Sequence, residues 1–222
     1  TRPRLLDLYS GAGIGADGYI AAGFDVVGVD INPQPHYPGE FIQADALTAI
    51  WELDLFSFDA IHASPPCQSH TRAKHLRKAQ GGTSKYDDFL TPTLIALRAL
   101  VRDDVPWIVE NVPGAPGMED AVIECGSAYG LGVRRHRLFL SNRPLVGSGC
   151  DHKAQGRPWG VYHVMNDEVP KGGRTAVTLE HGLAVMGVDR LVPWDSLKEG
   201  YPPAYSLHIG RQILDQLGAG DE

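Results

Sequence analysis

Apolar residues over the first 140 positions fall in short runs separated by glycine turns and polar stretches. Arg4-Leu5-Leu6-Asp7-Leu8-Tyr9 is one such run, and it stops at Gly11-Ala12-Gly13-Ile14-Gly15. Helical spacing over 17–22 follows and ends at Gly23. Phe24 to Asp30, centred on Val26-Val27-Gly28-Val29, predicts a second buried strand that ends in an acid. Residues 41–45, 58–63, 106–110 and 137–140 predict four more strands. Between them, 92–101 has helical periodicity, with Leu94, Ile95, Leu97, Ala99 and Leu100 apolar. Strands alternating with helices predict an α/β fold of Rossmann-like type, with a mostly parallel sheet and helices on both faces.

Beyond Pro144 the alternation dissolves into a stretch rich in Gly, Pro, His and Lys, with short strand-like pieces such as Gly160 to Val164. This divides the chain into a catalytic and cofactor-binding part, 1–144, and a small irregular or β-rich insert, 145–185. A final segment, 186–222, returns to the first part through a helix over 206–217. The 222 residues fit one globular domain with a small appendage. A formal charge of -7 excludes a generic nucleic-acid binder, so any such role must rest on local clusters. Two qualify: Arg72, Lys74, His75, Arg77 and Lys78, and then Arg134, Arg135, His136 and Arg137. Cys67, Cys125 and Cys150, an odd number, argue for a reducing, cytoplasmic setting rather than a disulfide framework. No apolar stretch approaches the length of a membrane span, and no membrane partner is expected.

The chemistry concentrates at strand ends. Ser64-Pro65-Pro66-Cys67-Gln68 follows the fourth predicted strand, and two prolines stiffen the loop that aims the thiol. Glu110-Asn111-Val112-Pro113 ends the fifth. A glutamate at the end of a buried strand is partly desolvated and can hold or donate a proton. Arg135-x-Arg137 would set two guanidiniums on one side of a strand, where they could hold a thiolate, a phosphate or a polarised carbonyl. At the amino-terminal end, strand, glycine turn, helix, strand and acid form a nucleotide-binding layout, with Asp30 placed to accept ribose hydroxyls. The Gly11-x-Gly13-x-Gly15 spacing is not the dinucleotide fingerprint. Asp7, where a dinucleotide enzyme has an apolar residue, suits a cationic ligand without phosphate, such as S-adenosylmethionine. Asp45 could meet an adenine amino group. Cys125 with Cys150-x-His152 offers three metal donors but no evident fourth, so no metal site is expected.

The ordered set resembles the DNA cytosine-5 methyltransferases. The carrying motifs are Asp7-Leu8-Tyr9-Ser10-Gly11-Ala12-Gly13-Ile14-Gly15, Asp30, Asp45, Pro65-Pro66-Cys67-Gln68, Glu110-Asn111-Val112 and Arg135-x-Arg137. The resemblance implies catalytic roles for Cys67, Glu110, Arg135 and Arg137. It implies an S-adenosylmethionine site at Asp7, Tyr9, Gly11, Gly13, Asp30, Ile31 and Asp45, with Ser206 as a variant contact from the last helix. Pro66, Gln68, Asn111 and Arg174 would touch the substrate, with Arg157 and Lys171 as further candidates beside Gly172-Gly173. The implied partner is duplex DNA with a flipped cytosine, met by a monomer of bacterial or phage type that associates with the nucleoid, in restriction-modification or a similar setting. RNA as substrate, or a silent cofactor-binding regulator, are the alternatives. The chain departs from the family in having Val133 where a glutamine is usual, no evident Gly-Asn motif near the last helix, and a reduced target-recognition region.

Overall fold

The computed structural model describes residues 1–67, 88–161, 174–175 and 178–218. Gln68, the basic run Arg72 to Lys78, Lys171 to Gly173 and the side chain of Arg174 lie outside the described residues.

Strands form where the apolar runs were read: β1 (Arg4–Leu8), β2 (Asp25–Asp30), β3 (Glu40–Gln43), β4 (Ala60–Ala63), β5 (Trp107–Asn111) and β7 (Arg137–Ser141). A short strand the periodicity did not indicate, β6 (Val122–Glu124), joins them. Among the described residues the main sheet has seven strands in the order β3-β2-β1-β4-β5-β7-β6. β1 to β5 run parallel, and β7 enters antiparallel to both neighbours.

Strand period sorts the apolar residues onto two faces. Leu6, Leu8, Val27, Val29, Ile61, Ala63, Val109 and Leu140 pack against α2 (Ala46–Glu52) and α3 (Leu90–Leu100). Leu5, Val26, Ala60, Ile108 and Phe139 pack against α1 (Ile14–Ala22) and α7 (Pro203–Gly218). Both faces are covered, as a parallel sheet requires.

α1 and α7 meet closely because Gly18 has no side chain. A Cβ there would lie 2.1 Å from the Pro203 carbonyl and 2.2 Å from Ser206 Oγ. α1 opens at Gly13, whose left-handed φ of 74° turns the chain from β1 into the helix. A third cluster joins Ile14 to Val133, Val161, Val185, Met186, Val192 and Leu197. It includes residues of α5 (Leu179–Met186) and α6 (Trp194–Glu199), which follow the short α4 (His152–Gln155) and the strand pair β8 (Trp159–Gly160) and β9 (Arg174–Thr175). α5 is framed by Thr178, whose side chain accepts from His181 N, and by a left-handed Gly187.

Candidate active site

A cleft of about 1150 Å³ opens over the carboxyl ends of β1, β2, β4 and β5. This is where an open α/β sheet binds its ligands.

The β1–α1 turn supplies one end. Tyr9 adopts a left-handed φ of 57°, a strained backbone for a tyrosine, and its hydroxyl bonds Thr93 Oγ1 at 2.8 Å. Gly11 N donates to Asp30 Oδ2 at 2.9 Å, and the other oxygen of Asp30 accepts from Asn32 N at 2.9 Å. A Cβ on Gly11 would meet nothing within 4 Å, so the turn faces open cleft. Ile31, 63% exposed, stands next to Asp30 on the rim. Asp45 lines the same cleft while one of its oxygens caps α2, accepting from Thr48 N at 2.8 Å. The turn is braced from a distant segment. Arg190 grips both oxygens of Asp17 at 2.8 Å and donates to the carbonyls of Ala12 at 2.5 Å and His36 at 2.7 Å. Nothing in the local sequence signalled this arginine.

Asp7 lies at the floor of the cleft. It is buried, with Oδ1 2.8 Å from His62 Nδ1 and Oδ2 accepting from the Tyr37 hydroxyl at 3.0 Å. His62 is its neighbour in register across β1 and β4, and Tyr201 approaches the far side of the ring at 3.3 Å. The carboxylate thus belongs to a buried polar network while still lining the cleft. Burial, reinforced by Asp7, keeps the Tyr37 phenol well above its ordinary range, so it remains a donor. Ser206 is also a structural residue. It is fully buried and donates to the Gly15 carbonyl at 2.6 Å, fastening α7 to α1, and it does not line the cleft.

At the other end Pro65, Pro66 and Cys67 leave β4 along the cleft wall. Asn111, buried at 1% exposure, donates to the Pro65 carbonyl at 3.0 Å, and its Oδ1 accepts from Val112 N at 2.9 Å. It holds the cysteine loop against β5 rather than reaching into the cleft, which corrects the expectation of a substrate contact. Burial pushes the Cys67 thiol up. Arg137 pulls it down, Glu110 pushes it up again, and Arg135 adds a smaller lowering. Desolvation wins, so the arginines do not by themselves hold a thiolate.

Glu110, 7% exposed, has Oε1 2.9 Å from Arg137 Nε. The pair is close, but the N–H is not aligned on that oxygen. Among the described residues Glu110 Oε1 has no hydrogen-bond donor. A buried carboxylate oxygen in this condition is costly unless a ligand completes it.

The two arginines do not share a strand. β7 begins at Arg137, and Arg135 precedes it with a left-handed φ of 39°. Arg135 Nε donates to the Gly200 carbonyl at 2.6 Å and Nη2 to that of Lys198, at the end of α6, where a cation is favoured. It lines the cleft as a brace between α6 and the arginine loop. Val133, in place of the expected glutamine, is buried in the third cluster. A glutamine from another segment serves the loop instead. Gln155 donates to the carbonyls of Leu131 and Val133 at 2.9 Å and accepts from Arg134 Nε at 3.2 Å. The Tyr205 hydroxyl, from α7, caps the carbonyls of Arg134 and Arg135 at 2.9 and 3.1 Å.

The expected lack of a fourth metal donor does not hold. His136 Nε2 lies 3.3 Å from Cys150 Sγ and 3.2 Å from His152 Nε2, so four donor atoms converge.

No protein-family model matches the chain, and no curated protein matches its sequence. Among solved structures it is similar to DNMT2 of Spodoptera frugiperda, with a TM-score of 0.57 and 15% identity over 97% of this chain and 99% of that one. The Dnmt2 methyltransferase of S. pombe aligns with a TM-score of 0.65 and 14% identity over 98% and 99% of the two chains. The Entamoeba histolytica methyltransferase EhMeth aligns with a TM-score of 0.58 and 11% identity over 100% and 99%. At such identities the likeness speaks for the fold alone: the chain shares the mostly parallel α/β fold of these solved methyltransferases. No helix among the described residues is long and apolar enough to cross a membrane.

Proposed function

We propose that the chain transfers a methyl group from S-adenosylmethionine to C5 of cytosine in DNA, through a transient bond between Cys67 Sγ and C6 of a flipped base. The observation behind this reading is a thiol and a buried carboxyl on one cleft wall, with Glu110 Oε1 beside Arg137 Nε at 2.9 Å and without a hydrogen-bond donor aligned on it among the described residues. Cytosine suits that pair. Its exocyclic amine and protonated N3 are donors for Glu110, and its C6 accepts a sulfur nucleophile. The motif order in the sequence points to the same chemistry. The opposite end fits the cofactor, with open space over Gly11, the Asp30 carboxylate for the ribose, and Ile31 to pack on the adenine.

S-adenosylmethionine, when bound there, supplies the electrophilic methyl group. The chain's own residues do the rest. The Cys67 thiol gives its proton to solvent as Sγ adds to C6, N3 takes up a proton passed through the Glu110 carboxyl, and the resulting enamine makes C5 nucleophilic. After C5 is methylated, its proton passes to solvent water, the C5–H electrons re-form the C5=C6 bond, Cys67 Sγ leaves as the thiolate, and N3 gives back its proton. Arg137, with Nε 2.9 Å from Glu110 Oε1, holds that carboxyl in place. A base within a duplex hides C6, so the target must be unstacked first.

The test is transfer of labelled methyl groups to duplex DNA and to tRNA, each digested to nucleosides. 5-Methyldeoxycytidine from wild-type protein, and none from Cys67→Ala with cofactor binding retained, is the expected result. Label in 5-methylcytidine of RNA alone would overturn DNA as the substrate. No label in either, with cofactor bound, would reject the reading. So would full activity in Cys67→Ala.

A further inference from the structure

Four donor side chains converge beside the arginine loop, from three separate segments of the chain. Cys125, fully buried, follows β6. His136 sits between Arg135 and Arg137. Cys150 lies at the surface, and His152 opens α4. Their ligand atoms all lie within 4.8 Å of one another. Cys125 Sγ is 3.3 Å from His152 Nε2, Cys150 Sγ is 3.3 Å from His136 Nε2, and the two Nε2 atoms are 3.2 Å apart.

We propose that Cys125, His136, Cys150 and His152 bind a structural zinc ion that fixes the arginine loop. A tetrahedral site with Zn–S of about 2.3 Å and Zn–N of about 2.0–2.1 Å has N···N edges of about 3.3 Å and S···N edges of about 3.5 Å. The three separations given above match such edges, and the remaining ones lie within 4.8 Å. Two sulfurs and two imidazoles select zinc over the harder cations, and four protein ligands make a closed, structural site rather than a catalytic one. Two thiolates would cancel the charge of the ion, so the cluster tolerates Arg134 and Arg137 nearby.

The surroundings are already organised. Ser127 Oγ lies 3.0 Å from Cys125 Sγ and accepts from Asp151 N at 2.9 Å. Gly126 N donates to the Arg134 carbonyl at 2.8 Å. Asp151, between Cys150 and His152, caps α4 by accepting from Ala154 N at 3.0 Å. The exposed edge at Cys150 gives an ion its way in. Because His136 directly follows Arg135, the ion would pin one flank of its left-handed backbone, while Gly126 N, next to Cys125, holds the Arg134 carbonyl on the other. It would also tie Cys150 and α4 to the sheet. The site does not depend on the methyl-transfer reading.

The experiment is metal analysis of the freshly purified chain by inductively coupled plasma mass spectrometry, with cobalt substitution read by absorption. One zinc per chain, and the ligand-field spectrum of a tetrahedral cobalt–thiolate centre, are expected. Cys150→Ser should lose the bound metal, and Cys67→Ser should keep it. Cys150 is exposed, so the first variant is expected to fold, which circular dichroism checks. The cobalt spectrum of the wild-type chain tests the site without any variant. Absence of both zinc and the cobalt spectrum would overturn the proposal. So would a Cys125–Cys150 disulfide in the intact mass, or full metal content in Cys150→Ser.

Discussion

Asn111 separates geometry from chemistry in the cleft. Its amide holds the Pro65 carbonyl, two residues before the thiol. Asn111→Ala leaves that carbonyl without its donor, at a cost of about 1–3 kcal/mol. It also lets the cysteine loop drift, and a misplacement of about 1 Å can cost about 100-fold in rate. Methyl transfer should fall on that scale while cofactor affinity, measured by calorimetry, stays unchanged. An equal loss of cofactor affinity would place Asn111 in the cofactor pocket instead. Cys67 offers a second test at this scale. Burial raises its pKa, so at neutral pH its thiolate fraction lies below that of an exposed cysteine and grows with pH. Iodoacetamide labelling of the Cys67 peptide should have its midpoint above the ordinary thiol value of about 8.5. Arg137→Met removes the largest lowering influence and should move the midpoint higher. A midpoint below the ordinary value would contradict this account. Motif reading gave Asp7, Ser206 and Arg135 their positions but not their work. Their partners stand 55, 191 and 65 residues away, and no local pattern announces them.

The pairing of α1 with α7 is where a single methyl group should matter most. Gly18→Ala would drive a Cβ into the Pro203 carbonyl and Ser206 Oγ, both within 2.2 Å. Backbone cannot step aside as a flexible side chain can, so the helices must separate. Urea unfolding should show a loss of about 2–3 kcal/mol. An unchanged midpoint would mean that the helices do not pack as described. The strands of the sheet were legible because buried parallel strands are unbroken apolar runs. β6 was not, since Val122-Ile123-Glu124 is too short for any period to show. α5 was missed at the end of the segment read as irregular, although Thr178 and Gly187 carry the chemistry of its start and stop, and α6 was missed in the returning segment, where only the last helix was read. The arginine pair was misplaced because β7 starts later than a strand-wide reading of Arg135-x-Arg137 assumes.

The cleft gathers its chemistry at the carboxyl ends of the parallel strands. A net charge of -7 is set against Arg134, Arg135 and Arg137 on the cleft, so the proposed polyanionic substrate would be met locally. The loop bearing those arginines is held from several sides, by Gln155, Tyr205, the end of α6 and the proposed zinc ion. Such bracing suits a site that must keep two charged groups and a thiol in register while a base enters. It also explains how the loop can dispense with the glutamine that Val133 replaces. Duplex DNA containing 5-fluorocytosine, incubated with the protein and S-adenosylmethionine, tests the central claim directly. Fluorine cannot leave C5 as a proton does, so the bond to Cys67 should persist through a denaturing gel and appear in the mass of the Cys67 peptide. The account predicts a cofactor-dependent complex that Cys67→Ala abolishes. Cofactor binding without any adduct on DNA would contradict it.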